Sequence, residues 1–217
     1  MKDLERLLAE IKENLLLIDV NKERGKFQHI RAEYERRLQQ LLAMKMASDF
    51  YVKPEVTGHF MISGTANRID CCMFPKQHLI EKGFVKEWIG VEVKVPEPNT
   101  ARAGKVGRLL WQAVIYSQSK FKVPKDPTQT GSPTREWETV RPAFILMFPD
   151  LLRQVRSAEL GFALEAFAQQ ANVGSLELLE GGWKMIGAAY YFKRENDSLK
   201  LGPDHNCLLK RNVGSKR

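Results

Sequence analysis

The chain opens with apolar residues at helical spacing. Leu4, Leu7, Leu8, Ile11, Leu15 and Ile18 fall on one side of a 3.6-residue period and predict an amphipathic helix over about 3–18. After a break at 21–25, a second stripe of Phe27, Ile30, Tyr34, Leu38, Leu41 and Leu42 predicts a helix over about 26–46, with Glu33 and Glu35 on opposite flanks of that stripe. From Tyr51 the period drops to two. Residues 52–62 and 65–74 read as antiparallel strands joined by a tight turn at Ser63 and Gly64. In the second strand Ile69, Cys71 and Met73 alternate with Arg68, Asp70 and Cys72, which sets an aspartate mid-strand, where it has low propensity and a high burial cost.

Residues 75–86 read as a connection, and 88–96 as a short core strand with Val91, Val93 and Val95 on one face and Glu92 and Lys94 on the other. A helix is predicted over about 100–121, with Val106, Leu109, Leu110, Ala113, Val114 and Phe121 inward. Arg108, Gln112, Tyr116 and Lys120 recur every four residues on another side, with Lys105 near the same line. Residues 122–141, rich in Pro, Thr, Lys and Gly, read as a long loop, and Trp137 within it as a surface residue. The unbroken apolar run 143–148 is the pattern of a strand buried on both faces. A helix from 150 to about 171 follows, then strands at 175–180 and 183–192 around Gly181 and Gly182, a third short strand at 198–201, and a basic, frayed tail at 206–217.

This order predicts an α/β fold with a central mixed sheet and helices on both faces. No repeat or domain boundary interrupts it, so 1–217 reads as one domain. Its N-terminal helices span 1–48, its core about 26–148, and a C-terminal helix and β-hairpin 150–205. The 34 basic and 26 acidic residues leave a net charge of +8, an excess that suits a polyanionic partner and is also common among ordinary basic proteins. The cysteines are Cys71, Cys72 and Cys207, too few and wrongly spaced for a disulfide framework, a zinc ribbon or a four-cysteine iron–sulfur cluster. With a charged first helix in place of a signal peptide, and no apolar run of membrane-spanning length, the expectation is a soluble, cytoplasmic protein without a membrane partner.

The chemistry concentrates in three places. Glu92 and Lys94 are charges inside an apolar strand, and burying either unpaired is costly, so the pair demands a partner. A salt bridge between the two accounts for it as readily as a site does. Asp70 alone admits the reading of a structural aspartate capped by backbone groups. Gln112 and Tyr116 alone would pass for helix-surface residues, and the two adjacent cysteines for core thiols. His29, His59, His78 and His205 lack metal-ligand spacing.

Taken together, an acid on an early helix, Asp70 mid-strand, Glu92-x-Lys94 on the next strand and Gln112-x-x-x-Tyr116 on the next helix resemble the PD-(D/E)XK nuclease superfamily, in its RecB-like and lambda-exonuclease-like branch. The resemblance spans about 26–148. Ile69 stands where the superfamily's name places a proline, and the cysteine cluster of some RecB-like members is missing. The resemblance implies a restriction-endonuclease-like αβββαβ core and a metal-dependent nuclease acting on DNA in replication, recombination, repair or defence. RNA is not excluded as substrate. Asp70, Glu92, the Val93 carbonyl and an early-helix glutamate would hold Mg²⁺ or Mn²⁺. Glu33 is the preferred glutamate, in its Ala32-Glu33-Tyr34 setting, with Glu35 close behind. Lys94 would orient water or stabilise developing charge, Gln112 and Tyr116 would order the site, and Lys105, Arg108 and Lys120 would follow the phosphate backbone. A homo-oligomer or a recombination or replication partner protein is compatible with this reading. The alternative from another class is a catalytically silent DNA-binding subunit that keeps the fold.

Overall fold

The computed structural model describes residues 2–18, 23–95, 103–128, 136–150, 158–179 and 182–186. Two helices lead, α1 (Lys2–Leu16) and α2 (Arg24–Met46). The hairpin β1 (Phe50–Phe60) and β2 (Ala66–Pro75), the short helix α3 (Gln77–Glu81) and β3 (Ile89–Val93) come next. The order then runs α4 (Ala103–Ser117), β4 (Ser119–Pro124), β5 (Trp137–Val140), β6 (Ile145–Phe148), α5 (Ala158–Gln170), β7 (Val173–Leu179) and β8 (Gly182–Ile186). All eight strands form one sheet in the order β5-β4-β1-β2-β3-β6-β7-β8. The sheet is mixed: β3, β6 and β7 run parallel, and every other neighbouring pair is antiparallel. The protein is therefore α/β with an open mixed sheet. Among the described residues no helix is long and apolar enough to cross a membrane.

Each face of the sheet carries its own core. On one side Leu7, Ile11 and Leu15 of α1 and Tyr34, Leu38 and Leu42 of α2 pack on Cys71, Met73, Val91, Val93, Leu146 and Phe148. On the other, Leu110, Ala113 and Tyr116 of α4 and Ala168 of α5 pack on Ile69, Cys72, Ile145, Met147 and Val173. The period-two alternation of β3 and β6 thus feeds both layers, which is why the run at 145–148 is apolar throughout. At the turn of the first hairpin, Gly64 adopts φ 71° and its N–H bonds the Phe60 carbonyl at 2.8 Å, so the tight turn falls where the Ser63–Gly64 pair places it.

One part of the predicted layout is corrected. The helix predicted to reach 121 stops at Ser117, and the loop predicted over 122–141 contains strand at both ends, β4 paired antiparallel with β5. Phe121 suits either assignment, since it continues the helical stripe of Leu110, Ala113 and Val114 and also shares a period-two face with Ser119 and Val123. Tertiary pairing of Phe121 with Gly58 on β1 settles it as strand. Gly58 has no Cβ to obstruct that approach; one built there would lie 2.3 Å from the Lys120 carbonyl oxygen. Lys120 in consequence sits on β4, and the regular four-residue stripe ends at Tyr116. At the C-terminus β7 and β8 form the expected antiparallel hairpin within the described residues. The predicted strand at 198–201 and the basic tail lie outside them.

Candidate active site

Asp70 and Glu92 come together because β2 and β3 are adjacent and antiparallel. Cys71 pairs with Val91, which places the two carboxylates at the same level of neighbouring strands. Lys94, just past the end of β3, turns back so that its Nζ lies 2.5 Å from Glu92 Oε1. The same ammonium lies 3.2 Å from Glu35 Oε1 on α2. Asp70 is held from two directions: Gln39 Nε2 donates to Oδ1 at 3.0 Å, and the Val93 N–H donates to Oδ2 at 2.6 Å. The group is therefore built by four segments, α2, β2, β3 and the residue after β3.

The early-helix acid that the structure brings to this group is Glu35, beside Lys94, and not the preferred Glu33. Glu35 and Gln39 lie one helical turn apart on the flank of α2 that overlooks β2 and β3. Glu33 is exposed on the other flank, where it contributes to the field around Arg37. That flank belongs to α1. Arg37 forms a two-pronged ion pair with Glu10 at 2.6 and 2.9 Å, the Tyr34 hydroxyl donates to Glu10 at 3.1 Å, and Asn14 Nδ2 donates to Tyr34 at 2.6 Å. Docking of α1 there rolls Glu33 away from the sheet and Glu35 toward it.

Gln112 and Tyr116 meet each other and the site's scaffold. Gln112 Nε2 donates to the Tyr116 hydroxyl at 2.8 Å, which donates in turn to the Arg68 carbonyl at 2.8 Å. Tyr116 is buried, and burial followed by the nearby Glu92 charge holds its pKa above the usual range for a phenol. The pair thereby fixes β2 two residues before Asp70. Arg108, one turn before Gln112, is exposed on α4, and Lys120 is exposed on β4; neither reaches the carboxylates. Lys105 lies on α4, with its side chain outside the described residues.

The electrostatics separate this group from the other acids of the protein. Glu92 is 1 % exposed, and burial, reinforced by Asp70, raises its pKa from 4.5 to about 8. Burial also raises Asp70, against the pull of the Val93 N–H and Lys94. Lys94 stays firmly protonated: burial opposes its charge, but Glu92, Glu35 and Asp70 outweigh that and carry its pKa above the usual lysine range. Two other described acids, Glu10 and Asp49, behave in the opposite way. The Arg37 hydrogen bonds lower Glu10, and Asp49, though burial pushes it up, is carried below its usual range by the Trp183 indole N–H and His78. Those two are saturated with donors. Glu92 is not, since its Oε2 is buried and has no hydrogen-bond partner.

An oxygen-only set of carboxylates, one with an orphaned buried oxygen and both short of compensating charge, fits a hard divalent cation such as Mg²⁺ or Mn²⁺. Among the described residues, however, no three His, Cys, Asp or Glu side chains are already gathered around a common metal position. Lys94 stands between Glu35 and Glu92, so the acid pair Asp70–Glu92 is the part of the group open to an ion. Cys71 and Cys72 are free, buried and held in the thiol form by burial, which fits core packing. Comparison of the chain with family models, curated proteins and solved structures finds no match.

Proposed function

We propose that this protein is a divalent-metal-dependent nuclease that hydrolyses phosphodiester bonds in DNA, on a restriction-endonuclease-like core formed by α2, β1–β3, α4 and β6. The observation that carries the reading is the pairing of half-buried Asp70 with buried Glu92, with Glu92 Oε2 unpartnered and Lys94 Nζ at 2.5 Å from the other oxygen. A pair retained only as a salt bridge would have each oxygen matched to a donor. Asp70 and Glu92 would hold the ion, with the Val93 carbonyl as a further ligand. When bound, the ion would supply positive charge at the phosphate and acidify a coordinated water.

The chain's own residues divide the remaining work. Gln39 and the Val93 N–H fix the Asp70 carboxylate in orientation, and Tyr116 with Gln112 fixes the strand that carries it. Lys94 is too firmly protonated to accept a proton, so its role is electrostatic: it faces the negative charge that builds on the phosphate oxygens. Glu35 holds the Lys94 ammonium in place from the α2 side.

The test is incubation with linear, circular and branched DNA, and with RNA, in Mg²⁺ or Mn²⁺, comparing the wild type with Asp70→Ala and Lys94→Ala. Metal-dependent cleavage lost in both variants supports the reading, and cleavage surviving both substitutions removes the site assignment. Calorimetric titration of Mn²⁺ into the wild type and Asp70→Ala gives a readout independent of turnover. Salt-sensitive DNA binding without ion binding or cleavage would instead favour the silent subunit.

A further inference from the structure

We infer that Trp137, with Lys53 and Lys122, forms a stacking site for an unpaired nucleic-acid strand that crosses the sheet to the Asp70–Glu92 pair. The inference rests on the nuclease reading and adds to it the form of the substrate. Along β4 and β5, Phe121, Val123 and Val140 face the core beneath α4, while Lys120, Lys122, Trp137 and Thr139 alternate outward. Trp137 is 43 % exposed. Lys53 Nζ and Lys122 Nζ lie over its ring at 5.4 and 5.8 Å from the centroid. An aromatic face with two ammonium groups at it matches what a single strand offers: a base to stack and phosphates on either side.

The register aligns this site with the carboxylates. Trp137 pairs with Pro124 across β5 and β4. Carrying the β1–β4 pairing of Gly58 with Phe121 three residues on brings Pro124 level with Glu55. Glu55 in turn faces Asp70, flanked by the pairs Pro54–Cys71 and Val56–Ile69, and Asp70 is level with Glu92. By strand level Trp137 and Asp70 therefore occupy one row perpendicular to the strands. Three strand spacings separate Trp137 from Asp70, about 14 Å. That is about four nucleotides at the 3.4 Å rise of a stacked strand, and fewer if it is extended. Lys120 adds outward positive charge to the same strand as Lys122. Of the nearby acids, Glu55 is paired with Arg68 at 2.9 Å, Glu136 is paired with Lys125 at 2.9 Å, and Glu138 alternates to the side opposite Trp137. A duplex keeps its bases stacked on each other and cannot use an indole face in this way, so the arrangement favours an unpaired strand.

The test is fluorescence anisotropy of end-labelled oligonucleotides in EDTA, where metal-dependent cleavage cannot interfere, with single-stranded DNA, single-stranded RNA and blunt duplex as separate arms. Trp137→Ala should weaken single-strand binding by about 5- to 150-fold, while Trp137→Phe keeps most of it. Lys53→Ala and Lys122→Ala should each reduce the slope of log affinity against log salt by about 0.7. Duplex binding should not respond to Trp137→Ala. The DNA and RNA arms decide which strand is preferred. Unchanged single-strand binding in Trp137→Ala, or equal loss on single strand and duplex, overturns the proposal. If the binding behaves as expected but the wild type cleaves nothing with Mg²⁺ or Mn²⁺, the nuclease reading fails and the strand site stands.

Discussion

Replacing Glu92 by glutamine should inactivate the protein and, above neutral pH and without metal, make it more stable. Glu92 has its pKa raised from 4.5 to about 8 by burial and by Asp70, so between those values the folded protein binds a proton that the unfolded chain has released. Stability must then fall as pH rises through that window and level off above it. At about 1.4 kcal/mol per pH unit, the full displacement amounts to about 5 kcal/mol, and about 3 kcal/mol has been lost by pH 7. These are upper bounds, since a buried site relaxes and admits water around a forced charge. Glutamine keeps the shape, removes the charge and offers an amide to Asp70, while Lys94 retains Glu35 at 3.2 Å.

The measurement is urea denaturation followed by circular dichroism, in EDTA, from about pH 5 to about pH 9. The two proteins should agree within about 1 kcal/mol at the acid end, and Glu92→Gln should draw ahead by a few kcal/mol at the alkaline end. Adding Mg²⁺ should close the gap from the wild-type side only, by about 2.7 kcal/mol at a hundredfold excess over the dissociation constant. A wild type that is as stable as Glu92→Gln at about pH 9 in EDTA refutes the reasoning, because Glu92 would then be ionised and satisfied within the fold, as a structural ion pair is.

Four further outcomes follow from the same geometry. Glu35→Gln should lower kcat by about tenfold or more, whereas Glu33→Gln should leave cleavage within about twofold, because of these two glutamates it is Glu35 that contacts Lys94; equal effects in a cleavage assay would restore Glu33 as the candidate. Lys94→Met should cost about 10²- to 10³-fold in kcat with little change in KM, and Lys94→Arg should not rescue it, since a planar guanidinium cannot sit 2.5 Å from Glu92 and 3.2 Å from Glu35 in the same way. Tyr116→Phe removes the donor to the Arg68 carbonyl and should destabilise the fold by about 1–3 kcal/mol in thermal melts. Gly58→Ala forces a Cβ to 2.3 Å from the Lys120 carbonyl oxygen; a destabilisation of about 1–3 kcal/mol is expected, and an unchanged melting temperature would mean that β1 and β4 do not approach as described.

What the sequence discloses depends on how many physical constraints act on each position. The α2 stripe and the β1–β2 alternation are long and one-sided, so burial leaves little freedom, and Tyr34, Leu38, Leu42, Val56 and Ile69 are buried where the pattern puts them. Asp70, Glu92 and Lys94 were legible because they violate that pattern. The choice between Glu33 and Glu35 was not, because both flank Tyr34 at about 100° and local spacing is symmetric between them. The symmetry is broken only when α1 docks through Glu10, Asn14, Tyr34 and Arg37, a contact between residues up to 27 positions apart. Gln39 gave no signal at all: a neutral amide on a helix flank draws no attention until the strand beneath it is known to carry Asp70. The end of α4 failed for another reason, since Phe121 satisfies both periods.

The contrast among the buried and half-buried acids is what favours the proposed function over a purely structural role. This protein can neutralise a carboxylate when structure requires it, as Glu10 and Asp49 show, each surrounded by donors and held below its ordinary pKa. At Asp70 and Glu92 it does the reverse, placing two carboxylates level on adjacent strands beneath two hydrophobic layers and leaving Glu92 Oε2 without a donor. The resulting penalty would favour any cation able to replace the proton on Glu92. It also explains why Lys94 is drawn into the group without fully compensating it: a second resident cation would stabilise the fold and at the same time close the place where an ion, and then a phosphate, would bind.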